Sequence, residues 1–242
     1  MGTEGTKTCK SSPTPWRSNA PEHNAVQTQN ITFHEQTMTV IAVANIKGGV
    51  GKSTLATNIA GYFAAQGQRV ALGDIDRQQS SQLWLGLRPT NLSKIESWPI
   101  NFDHITASPK HVTHAVMDTP AGLHGWRLKT VLEMSDKILI PIQPSIFDIF
   151  ASREFLNQLK NYKQLKNISL GIIGMRVDER TIAAAKLKEF MDALDIPVVG
   201  FIRDTQYYIQ MAAHGFSLFD MSPQRVERDL QQWEPITKWL EE

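Results

Sequence analysis

The chain has 242 residues, enough for one large domain that buries about 70–75% of its unfolded surface. With 41% hydrophobic and 20% charged residues it has ordinary globular composition, which excludes disorder throughout, collagen and coiled coil, and no run approaches 18 apolar residues, which excludes a membrane-spanning helix. Lys+Arg 25 against Asp+Glu 24 leaves a net charge of +1, which argues against a strongly basic protein that coats nucleic acid but not against a local patch; the one cysteine, Cys9, excludes an internal disulfide framework and an all-cysteine metal site and points to a reducing, cytoplasmic setting.

Residues 1–37 are rich in Ser, Thr, Pro, Asn and Gln and lack apolar periodicity. They are expected to form a disordered extension. Their basic residues, Lys7, Lys10 and Arg17, balance Glu4, Glu22 and Glu35, and no apolar stretch suits a signal peptide. Met38 stands immediately before the first predicted strand, which makes it a candidate natural start.

From there strands and helices alternate. Residues 39–45 (TVIAVAN) form a β-branched apolar run and predict a buried strand. A Gly-rich turn follows, then a helix over 53–66 with Leu55, Ile59, Tyr62 and Phe63 at helical spacing and Gly67 as its stop. Further strands are predicted at 69–74, 115–118, 137–142, 170–177 and 198–203. Helices are predicted at 78–85, 127–134, 147–162, 181–194 and 206–213, with a mostly helical stretch over 225–240 that Pro235 should kink or split. Apolar strands alternating with helices give an α/β class: a doubly wound, mostly parallel sheet flanked by helices. One stretch resists. A possible strand at 104–107 leaves only seven residues before the strand at 115, and a parallel crossover needs about a dozen. Either 104–107 is not a parallel neighbour or the usual crossover helix is missing.

The decisive segment is KGGVGKST over residues 47–54, between a strand and a helix. Gly48, Gly49 and Gly51 let the backbone curl around Val50 and turn its N–H groups inward, toward an anion at the helix N-terminus. Lys52 is placed to reach the β- and γ-phosphates, the Ser53 hydroxyl to ligate Mg2+, and Thr54 to meet a phosphate nearer the base. No GxGxxG pattern is present, which disfavours a nicotinamide dinucleotide. Two aspartates, Asp74 and Asp76, follow the second strand, and Asp118 ends an apolar strand before the small-residue loop that carries Gly122. Strand ends are where a doubly wound fold builds its site. Asp76 as a helix N-cap and Asp118 as a turn cap are the plainer alternatives.

The phosphate loop has Ile46 where the strict pattern has glycine, and a second lysine, Lys47, at its head. In this it resembles the deviant Walker A motif of the ParA/MinD ATPase family. Residues 74–78 (DIDRQ) resemble the family's D-x-D-P-Q, with Arg77 in place of the proline, and 117–122 (MDTPAG) resemble its Walker B region. Residues 140–145 (IPIQPS) resemble a further motif in which Pro141 and Pro144 are either nucleotide contacts or plain turn residues. Residues 205–209 and 215–219 resemble the C-terminal region of small, ParF-like and McdA-like ParA proteins.

The resemblance implies a ParA-type P-loop ATPase domain over 38–242, with ATP and Mg2+ as cofactors. Lys47, Lys52 and Asp76 would carry hydrolysis; Asp74 and Gly122 would support the nucleotide; Ser53, Asp76 and Asp118 would hold the metal. It further implies a homodimer with ATP sandwiched between subunits, Lys47 crossing to the partner's nucleotide. Non-specific binding to nucleoid DNA and stimulation by a ParB-like or McdB-like adaptor would follow, so that a plasmid, a chromosome or a carboxysome is positioned. The expected localisation is cytoplasmic and nucleoid-associated. Residues 151–242 hold 12 Lys and Arg against 13 Asp and Glu, so any DNA contact must be local; Lys160, Lys163, Lys186 and Arg203 are the candidates. Alternatives within the same fold are a MinD-like membrane-cycling ATPase, which would use a basic amphipathic C-terminal helix, and an ATP-dependent metabolic ligase. Trp233 and Trp239 are expected to pack on the core, and the acidic end of the chain argues against a membrane partner.

Overall fold

The computed structural model describes residues 38–242; the expected extension over 1–37, with its bearing on the natural start, lies outside the described residues. The apolar runs become seven strands: β1 (Thr39–Val43), β2 (Val70–Asp74), β3 (Ile95–Trp98), β4 (His114–Asp118), β5 (Lys137–Ile142), β6 (Ser169–Gly174) and β7 (Val198–Phe201). They form one sheet in the order β3-β2-β4-β1-β5-β6-β7, with every neighbouring pair parallel. Parallel pairing forces each connection to return across a face of the sheet, so both faces are covered and the strands are apolar on both sides.

The period-two alternation of a strand divides the core. Val40 and Ala42 face a layer with α3 (Gly125–Met134), α4 (Ile146–Leu159) and α5 (Ile182–Asp192), through Leu128, Phe155 and Leu187. Ile41 and Val43 face α1 (Lys52–Ala65), α2 (Ser80–Leu87), α6 (Tyr207–Ala212) and α7 (Pro223–Glu241), through Ile59, Trp84, Met211 and Ile236.

Three features depart from expectation. Residues 104–107 are not a strand; His104 makes only an isolated antiparallel bridge to Asn101. The edge strand is instead β3, paired parallel with β2. It has four residues, with Glu96 half-buried and Ser97 exposed, too short and too polar for its periodicity to stand out. The connection 99–113 then crosses from β3 past β2 to β4 with no helix in it, so both halves of the earlier alternative hold. Finally, α7 runs through Pro235, and its one residue with non-helical backbone is Val226 (φ −127°, ψ 18°). Pro235 lies on the exposed face, where the carbonyl it frees meets water instead of being buried unpaired.

Candidate nucleotide site

The ends of β1, β2 and β4 lie side by side. Val43 is in register with Asp118, and Asp118 with Asp74. This sheet edge carries the phosphate loop, which leaves β1 and enters α1. Gly49 (φ 77°) and Gly51 (φ 96°) are left-handed, a conformation that costs other residues energy. A Cβ on Gly51 would stand 2.8 Å from the Met175 methyl. Gly48 is exposed and Val50 is buried, so Val50 anchors the loop from within.

The loop is held from three sides. Asn45, fully buried, accepts from the Lys47 N–H (3.1 Å) and donates to the Pro141 carbonyl (2.8 Å) and Ser152 Oγ (2.9 Å). Gln143 donates to the Gly49 carbonyl (2.8 Å). The Gly122 N–H donates to the Ile46 carbonyl (2.8 Å), which ties the loop after β4 to the phosphate loop. Residues 140–145 therefore act on the loop's backbone. Pro141 is buried within β5 rather than in a turn, and its carbonyl holds Asn45.

Lys52 opens α1 and is 7% exposed. Its Nζ donates to the Lys47 carbonyl at 2.9 Å. Burial pushes its pKa down, against the attraction of Asp118 and Asp76. A buried ammonium aimed along such a loop is a ready partner for phosphate. Ser53 and Thr54 follow, both half-buried.

Asp74 and Asp118 are both buried and share Ser81 of α2. The Ser81 N–H donates to Asp74 Oδ2 (2.8 Å) and its hydroxyl to Asp118 Oδ2 (2.5 Å). Burial raises the pKa of Asp74. Burial, then the charge of Asp74, pushes Asp118 up to about 7 against the Ser53 and Ser81 hydroxyls and Lys52. Asp118 Oδ1 is buried without a hydrogen-bond partner. An orphaned buried carboxylate oxygen calls for an explanation, and a hydrated Mg2+ shared with the Ser53 hydroxyl supplies one: Mg2+ binds through one or two carboxylates plus phosphate oxygens and water. The residues present fit that ion.

Asp76 lies in the loop after β2, half-buried. Its N–H donates to Asp74 Oδ1 (2.8 Å), and its Oδ1 accepts from the Gln78 N–H (2.9 Å). Gln79, left-handed at φ 50°, donates Nε2 to the carbonyls of Asp74 (2.6 Å) and Asp76 (2.8 Å). The N-cap of α2 is Gln79, so Asp76 is not the cap of that helix.

Beside Gly51 and Thr54 opens a cavity of about 410 Å³ walled by Met175, Ile202 and Tyr208 and edged by Arg176 and Asp204. Apolar walls with a few polar groups, next to a phosphate loop, make a seat for a nucleoside. Arg176 is left-handed (φ 52°), and such strain in a non-glycine residue clusters at functional sites. Sequence reasoning missed this cavity, Asn45, Ser81 and Gln143. Asn45, a polar residue ending an apolar run, left a signal, as did Gln143, which lies in the 140–145 motif but was given no role.

The four candidate DNA residues do not converge. Lys160 caps the end of α4 and Lys163 opens the 3-10 turn (Lys163–Asn167) before β6, at the edge where strands begin. Arg203 follows β7 at the opposite edge, and its Nε and Nη2 donate to the buried Asp229 carboxylate (2.8 and 2.9 Å). Lys186, on α5, pairs with Glu189 (2.8 Å).

A model of the CobQ/CobB/MinD/ParA nucleotide binding domain matches residues 41–218. The maintenance of carboxysome distribution protein A of Halothiobacillus neapolitanus is 26% identical over 189 residues, 75% of this chain and 87% of that protein. Its namesake in Gloeobacter kilaueensis is 29% identical over 184 residues, covering 74% and 83%. Among solved structures, apo McdA from Cyanothece superposes with a TM-score of 0.65 at 15% identity, over 81% of this chain and 97% of that one. The MinC:MinD complex of Aquifex aeolicus gives 0.63 at 17%, over 84% and 95%; at these identities the likeness is one of fold. The family model runs from within the first strand to the start of the turn before α7, phosphate loop included, and this chain belongs to the CobQ/CobB/MinD/ParA family of nucleotide-binding domains, as a ParA/MinD-like protein.

Proposed function

We propose that the chain is an Mg2+-dependent ATPase that dimerises on ATP, binds DNA without sequence preference in that state, and is released when an adaptor stimulates hydrolysis. The cycle would position or partition a cargo. The observation that carries this reading is Lys47. Its carbonyl receives Lys52, and among the described residues no carboxylate forms an ion pair with its ammonium. A free cation at the mouth of a phosphate loop suits the nucleotide of a second subunit.

The loop's N–H groups and Lys52 bind and orient the phosphates. Ser53 and Asp118 hold Mg2+, which when bound neutralises charge on the transferring phosphoryl group. Asp76, fixed by Asp74 and Gln79, orients the attacking water. Gly122, free to take φ 67°, lets the loop after β4 approach the terminal phosphate. The names of the two relatives matched over most of their length, both carboxysome distribution proteins, support a protein organelle as cargo; a nucleoid-associated location follows from the proposed DNA binding. No described helix is long and apolar enough to cross a membrane. Val226, Trp233, Ile236 and Leu240 of α7 are buried in the core, and Leu230 and Trp239 pack half-buried against it, which favours DNA over the membrane-cycling alternative.

Fluorescence anisotropy of a random-sequence duplex tests the reading. Binding is expected with ATPγS, not with ADP, and should weaken steeply with salt as counterions are released. Asp76→Ala should bind DNA with ATP itself and not let go. Equal binding in the ADP state, or rapid turnover by the Asp76 variant, would overturn it.

A further inference from the structure

Arg77 stands where the resembling motif has proline. A proline would hold the backbone beside Asp76 through its fixed φ; an arginine cannot. Its side chain does something else. The Arg77 guanidinium lies over the ring of Phe102, 4.3 Å from the centroid. The same ring receives the Arg127 guanidinium at 3.6 Å, and Arg127 Nε donates to the Phe102 carbonyl at 2.8 Å. Arg77 adjoins Asp76. Phe102 belongs to the helix-free connection 99–113. Arg127 sits in the first turn of α3, just beyond the Gly122 loop. Three segments far apart in sequence thus meet on one aromatic ring. The two guanidinium groups repel each other; the ring's negative face attracts both, and Asp103, 3.3 Å from Arg127 Nη2, adds a counter-charge.

We infer that Arg77, Phe102 and Arg127 form a clamp that fixes the backbone beside Asp76 and so positions Asp76 for hydrolysis. The inference rests on the role of Asp76 given above. The three are positioning residues: Arg77 acts through its neighbour, and Arg127 and Phe102 act through Arg77. In this chain the connection that lacks the crossover helix supplies, through Phe102, the rigidity the proline would have given.

The test uses the full chain with Mg-ATP and the variants Phe102→Leu, Phe102→Tyr, Arg77→Ala, the double variant Arg77→Ala/Phe102→Leu, and Asp76→Ala. Each guanidinium–ring contact of this kind is worth roughly two- to fivefold in an equilibrium. Phe102→Leu and Arg77→Ala both break the Arg77–ring contact and should each lower kcat about two- to fivefold. ATPγS affinity should stay unchanged, because the phosphate loop is untouched. Amide hydrogen exchange over 75–79 should quicken in both. Phe102→Tyr keeps the ring and should behave as wild type, and the double variant should be no slower than the worse single one. Unchanged exchange over 75–79 would overturn the clamp. Quickened exchange with wild-type kcat, fully multiplicative single effects, or a parallel loss of ATPγS affinity would overturn its positioning role. Arg77 is exposed, so its variant gives a reading even if Phe102→Leu folds poorly. Wild-type turnover by Asp76→Ala would remove the Asp76 assignment itself, and the exchange data separate that failure from failure of the clamp.

Discussion

Lys52 and Asp118 show what burial does at the scale of one residue. Each is charged in its working form, and each lies in surroundings that oppose the charge. Lys52 has its pKa pushed down by burial, so the ammonium gains strongly when phosphate arrives. Lys52→Ala should abolish ATP binding, read by titration with a fluorescent ATP analogue. Asp118 is the mirror case. Its pKa is raised from 3.8 to about 7, so its contribution to folding is fully present below the unfolded value and is lost as pH rises through about 7. At pH 8 the metal-free protein must hold a buried carboxylate in its unfavourable form. Asp118→Asn carries no charge to bury and can still accept from Ser81. Thermal melts at pH 8 should therefore show a higher midpoint for metal-free Asp118→Asn than for wild type. The rise in midpoint on adding Mg-ADP should be smaller in the variant. A lower midpoint in the metal-free variant would contradict the assignment.

At the scale of elements, the question is what fixes α2, since α2 supplies Ser81 to both buried carboxylates. Its N-terminal end is tied to the sheet through Asp74. Its C-terminal end is tied by Arg88, which pairs with Asp220 of the 3-10 turn Leu218–Asp220 at 2.8 Å through two nitrogens. The two side chains are 5% and 4% exposed, and Arg88 also donates to the Ser93 and Gly215 carbonyls (3.1 and 3.3 Å). Gly215, at φ 70°, lets the chain pass so close that a Cβ would stand 2.5 Å from the Arg88 backbone. Burial would raise the Asp220 pKa, but hydrogen bonds from Arg88 and Ser217 outweigh it and leave it lowered. A lowered carboxyl contributes stability above its unfolded pKa and loses it as pH falls through the folded value. Removing one partner of a buried pair leaves the other charge uncompensated. Arg88→Ala should cost about 3–5 kcal/mol in urea unfolding near neutral pH, and the deficit should narrow in acid below the ordinary carboxylate range. A deficit under about 1 kcal/mol would mean that the pair acts like a surface one.

For the whole molecule, Lys47 is the residue whose use a single copy does not explain. Lys47→Ala leaves Lys52, Ser53 and Asp118 in place and should retain ATP binding. It should lose the ATPγS-dependent dimer, read by light scattering coupled to size exclusion, and with it the stimulated hydrolysis. A variant that still dimerises would show that Lys47 does not reach across. DNA affinity is argued at this scale too. Lys160 and Lys163 lie at one sheet edge and Arg203 at the other, so no single-chain patch is assembled from them. Two copies would double whatever modest charge one surface presents, and avidity would make the binding depend on the dimer.

How much of this was legible in the chain depends on the distance over which each signal acts. The phosphate loop was fully legible, because glycines, lysines and a following apolar helix act within a few residues of one another. So were most strands and helices, and the placing of Asp74 and Asp118 at strand ends, because periodicity is local. The edge strand β3 was not, since four residues with Glu96 and Ser97 between two apolar ones carry little period. Nor was the course of α7, where exposure of Pro235 decided that the helix continues. The partners that make the site work lay beyond the sequence altogether. Asp74 and Asp118 become neighbours only because β2 pairs with β4 in one register, Gln143 reaches Gly49 only because β5 lies beside β1, and Arg77 finds Phe102 only after the chain has turned through β3. By itself the sequence determined the local chemistry: an anion-binding loop, three carboxylates and an α/β alternation. Only the tertiary structure decided which side chains meet at one serine, in one ion pair or on one ring, because sheet order and register bring together residues that no local interaction relates.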